Sequence, residues 1–116
     1  MDIIFYRKES GRSPIEDFIT ECSEQEKLET IAHLDTLSQL GFEARRPLVD
    51  YLEDGIYELR VRVMKKQLRV LYFFFHQNKI IVANAFVKKS TKIYINEIEI
   101  AKRIREDYTR RNKDNG

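Results

Sequence analysis

Apolar and polar residues alternate with a period of two over Ile56–Val63, where Tyr57, Leu59, Val61 and Val63 are interleaved with Glu58, Arg60 and Arg62. Successive side chains of a strand point to opposite faces, so this pattern predicts a strand with one buried face and both arginines on the open one. Two further β-prone runs follow, Gln67–Phe75 and Ile80–Lys88, separated by the turn-forming segments Met64-Lys65-Lys66 and His76-Gln77-Asn78-Lys79. Three such runs at short intervals predict an antiparallel meander. Upstream, Asp2–Tyr6 predicts a short edge strand. Ser13-Pro14-Ile15-Glu16 then supplies a capping serine, a proline at the first helical position and a glutamate three residues after the cap, predicting a helix from Pro14 to Cys22. Ser23-Glu24-Gln25-Glu26 repeats the box, and Leu28, Ile31, Leu34 and Leu37 recur at helical spacing until Gly41 offers a stop. Residues 42–55 read as a connecting loop, broken by Pro47 and closed by the turn residues Glu53-Asp54-Gly55. A last helix is expected to be capped by Asn96 with Glu99 three residues on, to carry the stripe Ile100, Ala101, Ile104 and Tyr108, and to fray over residues 110–116. The sum is an α+β chain: an edge strand, a two-helix hairpin, a three-strand meander and a closing helix.

Length and composition agree with one domain spanning residues 1–116: 42% of the residues are apolar, enough for one modest core. Cys22 is the only cysteine, which excludes an internal disulfide or a cysteine zinc cluster and fits a cytoplasmic setting. The apolar stretch near the N-terminus is only four residues long, so neither export nor a membrane role is expected. Net charge changes the picture once the chain is divided before Ile56. Residues 1–55 hold 6 Lys/Arg against 13 Asp/Glu, net −7, and residues 56–116 hold 15 against 6, net +9. The basic half points to an anionic partner, nucleic acid being the commonest.

If the three meander strands pair as neighbours, Arg60, Arg62, Arg69, Lys88 and Lys89 converge. A face crowded with cations suits a phosphate backbone and the negative charge that builds up in phosphoryl transfer. The alternative is a solvated sheet face with arginines lying over aromatic rings. Tyr72, Phe73, Phe74 and Phe75 read as core, and Phe86 as core or as a stacking surface for a base. Tyr94 reads equally as a catalytic group or as a loop residue packing on the last helix. His33 and His76 are too few and too far apart for paired-histidine chemistry. No carboxylate cluster suggests a metal, and no nucleotide-binding loop is present, so no cofactor is expected.

Three segments together, Leu52–Arg62, Leu68–Phe74 and Ala85–Lys92 leading into Glu97–Arg105, resemble the HigB-type branch of the RelE toxin superfamily, the phage-derived Gp49-like proteins. The resemblance implies a RelE-like microbial RNase fold and a type II toxin that cleaves mRNA on the ribosome without a metal. It also implies neutralisation by a cognate antitoxin, a HigA-like helix-turn-helix protein. On this resemblance the family's basic active-site positions fall on Arg60, Arg69 and Lys89, with Arg62 and Lys88 flanking them; the candidate site is then Arg60, Arg69, Lys88, Lys89 and Tyr94 for catalysis, with Arg62, Phe86 and Lys92 for RNA contact. Glu58 stands where some relatives carry another cation, which leaves the general base open. Two other readings compete: a ParE-like toxin directed at gyrase, and a non-catalytic binding module. Replacing Arg69 with alanine is expected to abolish growth arrest with the fold intact, as checked by induction in cells alongside a thermal melt of the variant.

Overall fold

The structure, a computed structural model, describes residues 1–113. Its elements in chain order are β1 (Asp2–Phe5), α1 (Pro14–Glu21), α2 (Glu24–Leu40), a 3-10 turn at Gly41–Glu43, β2 (Val49–Glu53), β3 (Ile56–Val63), β4 (Lys66–Phe75), β5 (Lys79–Val87) and α3 (Thr91–Asn112). The strands form one sheet in the order β1-β5-β4-β3-β2. β2 to β5 run antiparallel to their neighbours, and β1 joins β5 in parallel at the far edge.

The expected edge strand, helix pair, meander and closing helix are all present, and the α+β class holds. Residues 42–55 are not simply a loop. Val49–Glu53 adds a fifth strand, turned into β3 by Asp54-Gly55, both with positive φ (49° and 77°). A two-residue turn with both centres left-handed matches the twist of a hairpin, and Asp-Gly is among its preferred sequences. Pro47 lies ahead of the strand and costs it no ladder hydrogen bond.

The start of α3 also differs from expectation. Ser90, not Asn96, is the cap, its hydroxyl accepting the Ile93 N–H at 3.3 Å. The helix therefore begins six residues earlier and carries Tyr94 in its first turn. It also continues through Arg110, Arg111 and Asn112, which were expected to fray; residues 114–116 lie outside the described residues. What holds that end is Asp107: it accepts the Tyr6 hydroxyl at 2.6 Å and the Arg111 guanidinium at 2.9 Å, while Arg111 also reaches the Arg7 carbonyl at 2.7 Å.

The sheet is covered on both sides. Against one face α1 and α2 pack Ile15, Leu34 and Leu37 onto Leu59, Val61, Leu68, Val70 and Val82. Against the other, α3 packs Ala101 and Ile104 onto Ile56, Leu71, Phe73, Ile81 and Ala83. In α2 the buried positions are Glu26, Thr30, Leu34 and Leu37, while Leu28 and Ile31 are more than half exposed. The predicted helical stripe is thus only half right, because Thr30 and not Ile31 faces the sheet.

The box at Ser23 is complete: its hydroxyl accepts the Glu26 N–H at 3.2 Å, and the Glu26 carboxylate accepts the Ser23 N–H at 2.8 Å. Ser23→Ala is expected to cost about 1 kcal/mol, measured as a lower urea midpoint with an unchanged slope.

Candidate active site

The register of the meander decides which charged groups meet. Arg60 lies opposite Arg69, Arg69 opposite Phe86, and Glu58 opposite Leu71, all on the face that α3 covers. Two guanidiniums directly across an antiparallel ladder repel each other. The remedy is Glu58, which is 1% exposed. Its carboxylate takes the Arg60 Nε–H at 3.0 Å and lies 3.4 Å from Arg69 Nε. Beyond it Asp50 on β2 pairs with Arg60 at 3.3 Å and with Arg46 at 2.7 Å. The hydrogen bond from Arg46 holds the Asp50 carboxyl below the usual carboxylate range.

The early start of α3 completes the cluster from above. With Ser90 as cap, Tyr94 hangs over the sheet and its hydroxyl donates to Glu58 Oε1. Burial, and then the hydrogen bond to Glu58, push this phenol well above its ordinary value, so it stays protonated at neutral pH. Phe86, only 6% exposed, meets the Tyr94 ring edge-on at 5.5 Å. It belongs to the core and props Tyr94; its ring is not free to stack on a base.

The expected basic residues divide into two sets. Arg60 and Arg69 are held within the cluster, Arg69 also donating to Gln67 Oε1 at 2.8 Å and to the Leu68 carbonyl at 3.3 Å. Lys88, Lys89, Lys92 and Arg62 are exposed, and none forms an ion pair among the described residues. Lys88 Nζ stands 5.5 Å from the centre of the Tyr94 ring. Lys88, Lys89, Ser90 and Tyr94 line an open groove of about 570 Å³ between β2 and the start of α3, with Leu52 and Ile98 as its apolar side. α1 and α2 carry acidic residues in their first turns and α3 carries none. Its positive end, already ringed by lysines, is left without a counter-charge from its own first turn, an arrangement that favours a visiting anion.

The repulsion expected of a crowded cationic face is therefore met mostly from inside, by Glu58 and Asp50. Sequence reasoning placed the arginines but read Glu58 only as a departure from its relatives. The available signal was position: Glu58 shares the strand face of Arg60, two residues away. Among the described residues, no three His, Cys, Asp or Glu side chains gather in a metal-binding arrangement, and no helix is long and apolar enough to cross a membrane.

Residues 17–106 match the family described as phage derived protein Gp49-like (DUF891), and the chain belongs to that family, the RelE/HigB-type toxins. A search of curated proteins finds no match. Membership makes the chain one of a nuclease-like group of toxins and implies an antitoxin partner.

Arg69 is 6% exposed, so its alanine variant is not a clean test of chemistry. Removing one partner of a buried ion pair leaves the other uncompensated. Arg69→Ala is expected to lose about 3 kcal/mol of stability, whereas Lys89→Ala stays within about 0.5 kcal/mol; urea denaturation measures both. A pH test follows from Tyr94. Its pKa is raised on folding, so its contribution is full below the unfolded value of about 10 and fades as pH rises above that. The stability gap between wild type and Tyr94→Phe is expected to be flat from pH 7 to 9 and to narrow above about pH 10, measured by denaturation at each pH.

Proposed function

We propose that this toxin is a metal-independent endoribonuclease that cuts mRNA on the ribosome and so stops translation in the cytoplasm. The observation that carries this reading is the Glu58, Arg60, Arg69 and Tyr94 cluster, whose Tyr94 lines a groove together with Lys88 and Lys89. It combines a carboxylate, a protonated phenol and mobile ammonium groups beside fixed guanidiniums. Those are the components needed to move protons around a phosphodiester and to stabilise charge upon it.

In the proposed reaction the ribose 2′-oxygen attacks the adjacent phosphorus and the bond to the 5′-oxygen breaks, leaving a 2′,3′-cyclic phosphate and a 5′-hydroxyl. Glu58 is too buried to meet the ribose directly. Tyr94 relays instead: its oxygen accepts the 2′-hydroxyl proton as its own proton passes to Glu58. Arg60, whose side chain is one-third exposed, and Lys88 or Lys89 stabilise the phosphorane. The second of these lysines gives the leaving 5′-oxygen its proton. Arg69 holds Glu58 in place from beneath. Arg62 and Lys92, both exposed, steer the strand through long-range attraction.

The exposed cations favour this reading over a gyrase-directed one, since Lys88 and Lys89 line the groove beside Tyr94 and make no ion pair among the described residues. A helix-turn-helix antitoxin with an acidic segment would neutralise the toxin by covering the same lysines.

The decisive measurement is the mapping of new mRNA 5′ ends after brief induction without antitoxin. In-frame cuts within translated codons are expected for wild type. Lys88→Ala/Lys89→Ala, which leaves the buried cluster whole, is expected to lower cutting about 100-fold. Intact messages during growth arrest would favour the gyrase reading, and cutting at wild-type rate by the lysine variant would remove these residues from the mechanism.

A further inference from the structure

The sheet face turned away from α3 carries, at its β2 end, an aromatic cluster that the proposed reaction does not use. Tyr57 stacks on Tyr72 with ring centres 5.5 Å apart, and Phe74 stands edge-on to both, at 5.2 and 5.8 Å. Two outer rings complete it. Phe42, just after α2, tilts against Phe74 at 4.5 Å, and Tyr51 on β2 meets Tyr57 edge-on at 5.0 Å.

The outer rings are exposed, Phe42 by 56% and Tyr51 by 53%. A lone exposed ring needs no explanation. These two line one cleft of about 280 Å³ with Tyr57, Tyr72 and Phe74, and the exposed Arg45 and Arg46 line it too.

Contacts within the chain hold the cleft. The Tyr51 hydroxyl accepts the Gly55 N–H at 3.1 Å, and the Arg45 guanidinium donates to the carbonyls of Phe42 and Ala44 at 2.9 and 3.0 Å. Rings already fixed lose little freedom when a flat partner slides between them. Charge identifies the partner. Arg45 makes no ion pair among the described residues, and Arg46 shares Asp50 with Arg60 of the active-site cluster. One carboxylate at the β2 edge thus links the cleft to the site on the opposite face. Aromatic walls with guanidiniums beside them suit an unpaired base carried on a phosphate chain.

We propose that the cleft between Phe42 and Tyr51 binds an unpaired base of the RNA strand away from the cleaved bond, with Arg45 on a neighbouring phosphate. This rests on the RNA-cleaving reading of the Glu58 face; Phe42 lines only the cleft, Tyr51 borders both the cleft and the groove at Lys88 and Lys89, and both rings set affinity and sequence context without taking a step in the reaction.

The test is fluorescence anisotropy with a fluorescein-labelled, unstructured oligoribonucleotide, 2′-O-methylated throughout so that it cannot be cut, titrated with the full chain at several salt concentrations. Phe42→Ala and Tyr51→Ala are each expected to weaken binding about tenfold with the salt slope unchanged. Arg45→Ala is expected to lower that slope by about one. Tyr51→Phe keeps the ring and retains most of the affinity, and thermal unfolding confirms that each variant is folded. Wild-type affinity in both ring variants, or no binding by wild type, overturns the proposal. Cut-site mapping in cells separates it from the reading beneath it. Ring variants that lose oligonucleotide affinity while wild type leaves messages intact sustain the cleft and sink the cleavage reading. Cutting by wild type with unchanged affinity in the ring variants does the reverse.

Discussion

Everything on the α3 face is arranged around one buried carboxylate. Glu58 is nearly sealed from water, where an unpaired charge is costly, so it must be met by charge and by hydrogen bonds. Arg60 and Arg69 meet it from two strands and Tyr94 from the helix above. Neither arginine could sit opposite the other without it, and Tyr94 would have no acceptor beneath it. The carboxylate therefore fixes the cross-strand register and the position of the first turn of α3 together. A site assembled this way is preorganised, its side chains held by one another before any substrate arrives.

The division of labour among the cations follows from the same constraint. Guanidiniums stay charged and bind a carboxylate in a fixed fork, which suits the buried positions. The ammonium groups at Lys88 and Lys89 lie outside, on flexible stems beside the groove. The inner set shapes the site and the outer set is free to meet an anion.

Much of this was legible in the sequence. Period-two alternation located β3 and its arginines, the capping boxes located α1 and α2, and the motif-bearing segments gave the family. Three things were not. The strand β2 was missed because Val49–Glu53 is short, contains Asp50 and Glu53, and follows a proline, although Asp54-Gly55 is a strong hairpin signal. The cap of α3 was misplaced because Ser90 precedes Thr91-Lys92-Ile93, a stretch with no glutamate to close a capping box, whereas Asn96 has Glu99. The role of Glu58 depended on both errors: with Tyr94 taken as a possible loop residue and Asp50 in a loop, nothing overhead or alongside called for a carboxylate there. Burial of Phe86 and Arg69 is likewise a product of α3 lying over the sheet, which local pattern does not reveal.

The parallel pairing of β1 with β5 is the longest-range pairing in the sheet. Asp2 lies beside Lys79, so β1 can pair only once the chain through β5 exists. The antiparallel strands β2 to β5 close over short turns, whereas β1 must bridge a long loop to reach β5, a closure that costs more chain entropy. α3 comes later still, and it brings Tyr94 to the sheet and ties the turn at Asp54 through Arg105. A chain that has not reached α3 therefore lacks both the phenol that caps Glu58 and the guanidinium that ties the β2–β3 turn.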